Sequence, residues 1–308
     1  MMLNPQVSVV MSVYNGADCM RESIESVLSQ EGVRFEFIVV NDGSTDRSGA
    51  LLDEIAAAEP RIRIIHQANQ GLTGALIRGC SEVRGTYIAR QDAGDLFLPG
   101  KLKRQVEVLD SHPEAAFVSC GTRVVGPGKE LLHDLLSDEW DSTRHLLTLD
   151  LDKLRGPFGH GSVLFRRDLY EKVGGYRKEF YFGQDMDLWI RLAEIGKLLM
   201  IPQIFFQVAF TPNSISGRYR SAQISLATQI LECARLRREG GSESEPLARA
   251  GEIRSTGGRT SGSDLAAGLY FIGTCLTKRR DPRARRYYRE ALHANPLHMR
   301  AALRLLLG

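Results

Sequence analysis

The first 92 residues alternate short β-branched runs with amphipathic stretches, and this alternation decides the fold class. Residues 7–11 (VSVVM) read as a strand, followed by a turn at Tyr14-Asn15-Gly16. Met20, Ile24, Val27 and Leu28 then recur at helical spacing, with Asp18 placed to cap that helix. Residues 35–40 form a second buried strand, which ends in the polar turn 41–46 and opens a helix through Leu51, Leu52 and Ile55. A third strand (62–65), a third helix (72–83) and a fourth strand (86–89) follow. Strands separated by helices of about 10–15 residues predict βαβ units and a mostly parallel sheet flanked by helices. Such sheets bind ligands at the carboxyl ends of their strands. The residues placed there are Tyr14, Asn15, Asp42, Asn69 and Asp92.

Farther along, the spacing predicts a helix through Leu102, Val106 and Leu109 and a strand over 116–120. Residues 126–158 read as a Gly-Pro-Gly turn and a mixed helical stretch around Trp140. A strand at 163–165, a helix to Val173, a helix over 184–194, a strand over 198–201 and a helix over 222–238 complete a first domain of residues 1–238. Residues 239–263 are rich in Gly, Ser, Glu and Arg, as in a flexible linker. Residues 264–308 read as a basic helical hairpin. Its Ala284, Tyr288, Ala291 and Pro296 follow the spacing of one tetratricopeptide unit.

Composition narrows the function classes. Net charge is only +3, yet residues 211–308 hold 17 Lys/Arg against 8 Asp/Glu, so an acidic body precedes a basic tail. That tail could dock on the body, on a protein or on a membrane surface, and nothing suggests nucleic acid. The longest apolar stretch, residues 198–210, is 13 residues long and interrupted, short of the roughly 20 that a spanning helix needs. Five widely spaced cysteines form no paired motif, and residues 1–7 show no signal-peptide pattern, so the expected compartment is the cytoplasm. No Gly-rich phosphate loop with Lys and Ser/Thr is present, and no Gly-x-Gly-x-x-Gly follows the first strand, which disfavours kinases, P-loop ATPases and NAD-dependent dehydrogenases.

Several polar clusters admit two readings each. Asp42-Gly43-Ser44-Thr45-Asp46 could accept the imide N–H of a uracil ring, or supply a helix cap from Ser44 or Thr45. In Gln91-Asp92-Ala93-Gly94-Asp95 two acids three apart could hold Mg²⁺ or Mn²⁺, or form a solvated turn. In Gln184-Asp185-Met186-Asp187, Asp187 lies four residues before Arg191 and suits a surface ion pair, while Asp185 has no partner in reach on the helix. His160 could bind a phosphate or an acceptor hydroxyl, or serve as a loop hydrogen-bonder.

As an ordered set, residues 7–15, 40–46, 69–71, 91–95 and 184–191 resemble the inverting nucleotide-sugar glycosyltransferases of the GT-A fold, family 2 type. The resemblance covers roughly residues 5–210. It implies a Rossmann-like sheet with a C-terminal helical extension, in which Ser12, Tyr14, Asp42 and Asp92 hold a nucleotide-sugar donor. It also implies that Asp185 is the catalytic base, that Mg²⁺ or Mn²⁺ assists, and that the acceptor is a glycan or a lipid-linked glycan in cell-surface polysaccharide synthesis. Two positions depart from the family pattern. Gly94 stands where a metal-ligating acid is usual, so the metal is expected either on Asp95 or weakly bound. Gln184 stands where Glu is usual, which removes an anion beside Asp185 and should lower its pKa. A catalytically degenerate body recruiting partners through its tail is the competing expectation.

Overall fold

Residues 4–212, 220–253 and 261–307 are described by a computed structural model. The first βαβ series runs β1 (Val7–Val13), α1 (Met20–Leu28), β2 (Phe35–Asp42), α2 (Ser48–Ala58), β3 (Ile62–Gln67), α3 (Gly71–Cys80) and β4 (Tyr87–Asp92). Next come β5 (Leu96–Phe97), α4 (Lys101–Ser111), β6 (Ala115–Val125), β7 (Leu131–Leu135) and a short helix α5 (Thr143–Leu146). A single 3₁₀ turn at His160–Ser162 leads into β8 (Val163–Arg166), followed by α6 (Arg167–Lys172), α7 (Gln184–Ala193) and β9 (Lys197–Ala209). Among the described residues five helices follow: α8 (Arg220–Arg238), α9 (Ser244–Glu252), α10 (Gly262–Lys278), α11 (Ala284–Ala294) and α12 (Met299–Leu307).

All nine strands join one sheet in the order β3-β2-β1-β4-β8-β6-β9-β5, with β7 on β6. The four strands β3-β2-β1-β4 are parallel, as the βαβ spacing requires. Beyond them β8 runs antiparallel to both β4 and β6, and β9 runs parallel to β6.

Alternation along β1 explains its unbroken apolar run. Val9 and Met11 pack to one side with Ile24 of α1, Leu52 of α2 and Leu102 of α4. Val10 packs to the other with Leu76 of α3, Leu188 of α7 and Ile230 of α8. A strand covered on both faces has no polar side to show.

A third core ties the tail to the body. Leu269, Ile272 and Leu276 of α10 pack with Tyr288 and Ala291 of α11 against Val124 of β6 and Leu132 of β7. The Tyr287 hydroxyl also meets the buried Glu130 carboxylate. The basic tail therefore contains a third helix beyond the expected hairpin, and it is seated on the β6–β7 ladder.

Three local expectations are corrected. Asp18 does not cap α1, whose N-cap is Cys19 with no side-chain bond. The stretch expected to be helical around Trp140 holds strand β7, a bridge from Asp141 to Leu199 and only the four-residue α5. Within the expected linker 239–263, residues Ser244–Glu252 form α9, which buries Pro246 and Ala250; residues 254–260 of that linker lie outside the described residues.

Candidate active site

The parallel strands end level, and their registers bring the polar motifs together. Ser12 pairs with Val40 on one side and with Asp92 on the other, while Asp42 lies opposite Gln67. Asp42 is buried, and its Oδ1 accepts from Gln67 Nε2 at 2.7 Å and from the Gln70 N–H at 2.8 Å. Gly43 makes the approach of that second loop possible. Its φ is +71°, and a Cβ there would stand 2.6 Å from the Asn69 nitrogen, which only glycine avoids.

The turns after β1 and β2 are stitched by side chains. Asn15, itself at φ +50°, accepts at Oδ1 from the N–H groups of Thr45 at 2.8 Å and Asp46 at 3.3 Å. In return its own N–H donates to Ser44 Oγ at 3.0 Å. The Asp46 carboxylate accepts from the Ser48 and Ala17 N–H groups at 2.9 and 3.2 Å. The start of α2 is thus satisfied by Asp46, and neither Ser44 nor Thr45 is its cap. Tyr14 projects from this junction with 55% of its surface exposed, a free aromatic face at the strand ends.

A buried arginine that the motif reading missed organises the other half of the site. Arg90 sits inside β4 and donates to Asp92 Oδ1 from Nε at 2.9 Å and from Nη2 at 2.6 Å. Its Nη1 contacts His160 Nδ1. A guanidinium can only donate, so His160 Nδ1 accepts, and its Nε2–H faces the Tyr176 hydroxyl at 2.8 Å. Both ring nitrogens are therefore engaged inside the protein, which leaves none for the phosphate or acceptor hydroxyl expected from sequence. Asp185 Oδ2 stands 3.7 Å from the same Nδ1. The signal in the sequence was slight: one Arg within an otherwise buried strand, two residues before an acid.

Asp185 is the second residue of α7, and its Oδ1 accepts from the Met186 N–H at 2.8 Å. Its side chain keeps 31% exposure, enough for a substrate hydroxyl to reach it. Burial raises its pKa above the ordinary aspartate value, and the Arg90 charge offsets part of that rise.

Asp187 is no surface residue. At 1% exposure it accepts from Arg191 Nη2 at 2.6 Å and from Arg177 Nε at 3.0 Å. Arg177 also pairs with Glu243 at 2.6 Å, just ahead of α9. The expected pairing with Arg191 is present, but it is buried and carries a second arginine.

Asp95 follows Asp92 in the β4–β5 turn, where its Oδ1 accepts from the Ala209 N–H at 3.1 Å. Burial and the neighbouring Asp92 charge both raise its pKa. Two facing carboxylates of this kind fit a hard divalent cation, which would relieve their repulsion. Among the described residues no cluster of three His, Cys, Asp or Glu side chains surrounds a common point. Gly94 has φ +98°, a backbone that an aspartate rarely adopts.

Beside this row, a cleft of about 720 Å³ lies between residues 69–74 and the loop carrying Lys178, Glu179 and Tyr181. It borders the Gln70 N–H that holds Asp42 and the segment that leads into Asp185.

The model of the Glycosyl transferase family 2 matches residues 8–174. The chain is 35% identical over 201 residues to EpsE of Bacillus subtilis, which bears a glycosyltransferase name; the match covers 62% of this chain and 68% of EpsE. It is 30% identical over 207 residues to an uncharacterised glycosyltransferase of Rickettsia bellii, covering 67% of this chain but only 30% of that protein. Among solved structures, S. aureus TarS 1-349 in complex with UDP-GlcNAc aligns with 94% of this chain and 89% of its own, with a TM-score of 0.57 at 13% identity. The overall fold is that of TarS 1-349, whose structure aligns along nearly the whole of this chain.

Proposed function

Because the chain belongs to glycosyl transferase family 2, we propose that it moves one sugar from a UDP-linked donor to a glycan or lipid-linked acceptor, with inversion at the anomeric carbon. The observation that carries this reading is the chain of contacts Asp92–Arg90–His160 with Asp185 against it, in the same sheet whose strand ends bring Ser12, Tyr14 and Asp42 together. On this reading Asp42, already fixed at Oδ1 by two N–H donors, presents its charge to the uracil imide N–H. Tyr14 and Ser12 flank the nucleoside, and Asp92 meets the ribose and donor sugar.

In the transfer, an acceptor hydroxyl attacks the anomeric carbon in line with the departing diphosphate. The new C–O bond forms as the bond to the phosphate oxygen breaks, and the hydroxyl proton passes to Asp185. A pKa raised by burial makes Asp185 a stronger base than an ordinary aspartate. Arg90 holds Asp92 and steadies the imidazole against which Asp185 rests, so His160 is a positioning residue. Mg²⁺ or Mn²⁺, held by Asp92 and Asp95 when bound, would neutralise the diphosphate. The cell-surface polysaccharide role is part of this reading, carried by the family resemblance of the motifs.

The competing reading, a degenerate body used as a scaffold, draws on Gly94 and on the basic helical tail. A thermal-shift screen of nucleotide sugars with and without Mn²⁺ separates the two, because a bound donor stabilises the folded chain by mass action. Stabilisation by UDP-sugars, stronger with Mn²⁺, supports the transferase; no response to any nucleotide sugar would leave the scaffold.

A further inference from the structure

The tail presents a cationic and apolar face that the catalytic body does not use. Helices α10, α11 and α12 enclose a cavity of about 780 Å³ whose lining includes Tyr270, Tyr288, Arg280, Arg285, Arg300 and Arg304. Asp281, also at this cavity, is held by Arg283 at 2.6 Å, and Glu290 is held by Arg286 at 2.7 Å. Among the described residues, the four cavity arginines have no carboxylate within the 4.0 Å of an ion pair.

Helix α12 adds the second observation. Ala301 is its buried contact with the tail core. Met299, Leu303 and Leu306, at i, i+4 and i+7, form a stripe on one side with 75, 55 and 83% of their surface exposed. Leu297 just before the helix is 83% exposed. Arg300 and Arg304, also four apart, form the neighbouring stripe. A helix that buries one narrow face and still shows water an apolar stripe beside a basic one has the pattern of an interfacial helix.

We propose that this face docks on an anionic lipid bilayer, with Met299, Leu303 and Leu306 entering the interfacial layer and Arg280, Arg285, Arg300 and Arg304 meeting lipid phosphates. The apolar side chains protrude, which suits a deformable layer better than a rigid partner that must supply matching hollows. Charge points the same way: Lys and Arg side chains are attracted by the negative surface potential of an anionic leaflet. Docking there holds the body near a lipid-linked acceptor, but the proposal does not depend on the transferase reading, and its readout is binding.

The test uses the full chain with vesicles of phosphatidylcholine, with and without phosphatidylglycerol. The protein should sediment with the anionic vesicles at low salt and be released as ionic strength rises. The Arg300→Gln/Arg304→Gln variant should bind about tenfold or more weakly. The Leu303→Ser/Leu306→Ser variant should also bind more weakly while keeping the salt dependence. All four side chains are exposed, so circular dichroism and thermal unfolding should match the parent in both variants. Failure of the parent to bind anionic vesicles at low salt, or binding by both variants as tight as the parent's, overturns the proposal. So does binding to polyglutamate without binding to vesicles, which would mark a site for an acidic polypeptide.

Discussion

Oδ2 of Asp185 lies 3.7 Å from Nδ1 of His160, yet the two are not an ion pair, because Arg90 donates to that same nitrogen. The imidazole is held neutral with its proton on Nε2, directed at Tyr176. The positive charge that tempers Asp185 is therefore that of Arg90. This gives the carboxylate a buried, partly compensated setting in which it ionises later than a surface aspartate and binds a proton more readily once ionised.

Asp185→Asn should accordingly leave UDP-sugar affinity within a factor of about two and lower the transfer rate by about 10²-fold or more, the usual share of a general base. In the parent, transfer requires the ionised carboxylate. Its acid limb should therefore fall as pH drops through a value above the ordinary aspartate range, since burial raises the group. Steady-state rates across pH for parent and variant check both statements. Undiminished transfer by Asp185→Asn would remove it from the chemistry.

Asp187→Asn should fail in a different way. The side chain is 1% exposed between Arg177 and Arg191, and removing one member of a buried pair costs about 3–5 kcal/mol. Urea unfolding should show that loss, and the α8–α9 region should loosen with it, because Arg177 also binds Glu243. By contrast Asp185→Asn, which neutralises a carboxylate that burial disfavours, should unfold at the same or a higher urea concentration. Equal stability of the two variants would contradict the network.

Asp42→Asn keeps the shape of the side chain and an oxygen for the Gln67 and Gln70 donors. It removes the charge. UDP affinity should fall by about 1.5–3 kcal/mol, the contribution of a hydrogen bond to a charged group, with little change in melting temperature. Calorimetric titration with UDP measures the first and thermal unfolding the second. A drop in stability with unchanged affinity would reduce Asp42 to a support for its loop.

Much of the body was legible because its determinants are local. The strands β1 to β4 carry apolar runs bounded by polar turns, and the site acids stand at their ends. What escaped was set by distant partners. Strand β7 is specified by pairing with β6, from Thr122 opposite Leu135 to Val125 opposite Leu131, and its own residues do not strictly alternate. Helix α9 hides in a Gly- and Ser-rich stretch because its place comes from Glu243 binding both Arg177 and Arg237. Arg90 escaped for a similar reason: its partner His160 is brought to it only by the 3₁₀ turn ahead of β8. Roles that depend on such long-range pairs leave no period in the sequence.

Lys101 supplies a last prediction, on stability and pH. It is fully buried at the start of α4, donates to Gln105 Oε1 at 3.0 Å, and lies 3.8 Å from the centre of the Phe97 ring. No carboxylate faces it among the described residues, and burial lowers its pKa to about 8. In the unfolded chain the group titrates near 10.4. Between these values the unfolded state holds more protons than the folded one, so stability should rise with pH across that window. The gain amounts to about 3 kcal/mol for a shift of roughly two pH units. Lys101→Met fills similar space without the charge. It should be at least as stable as the parent at neutral pH, and the advantage should shrink as pH rises from about 8 to 10. Denaturant midpoints of the two proteins, measured in parallel across that range, isolate Lys101 from the other titrating groups. Parallel curves would mean that the ammonium is as well solvated in the folded protein as in water.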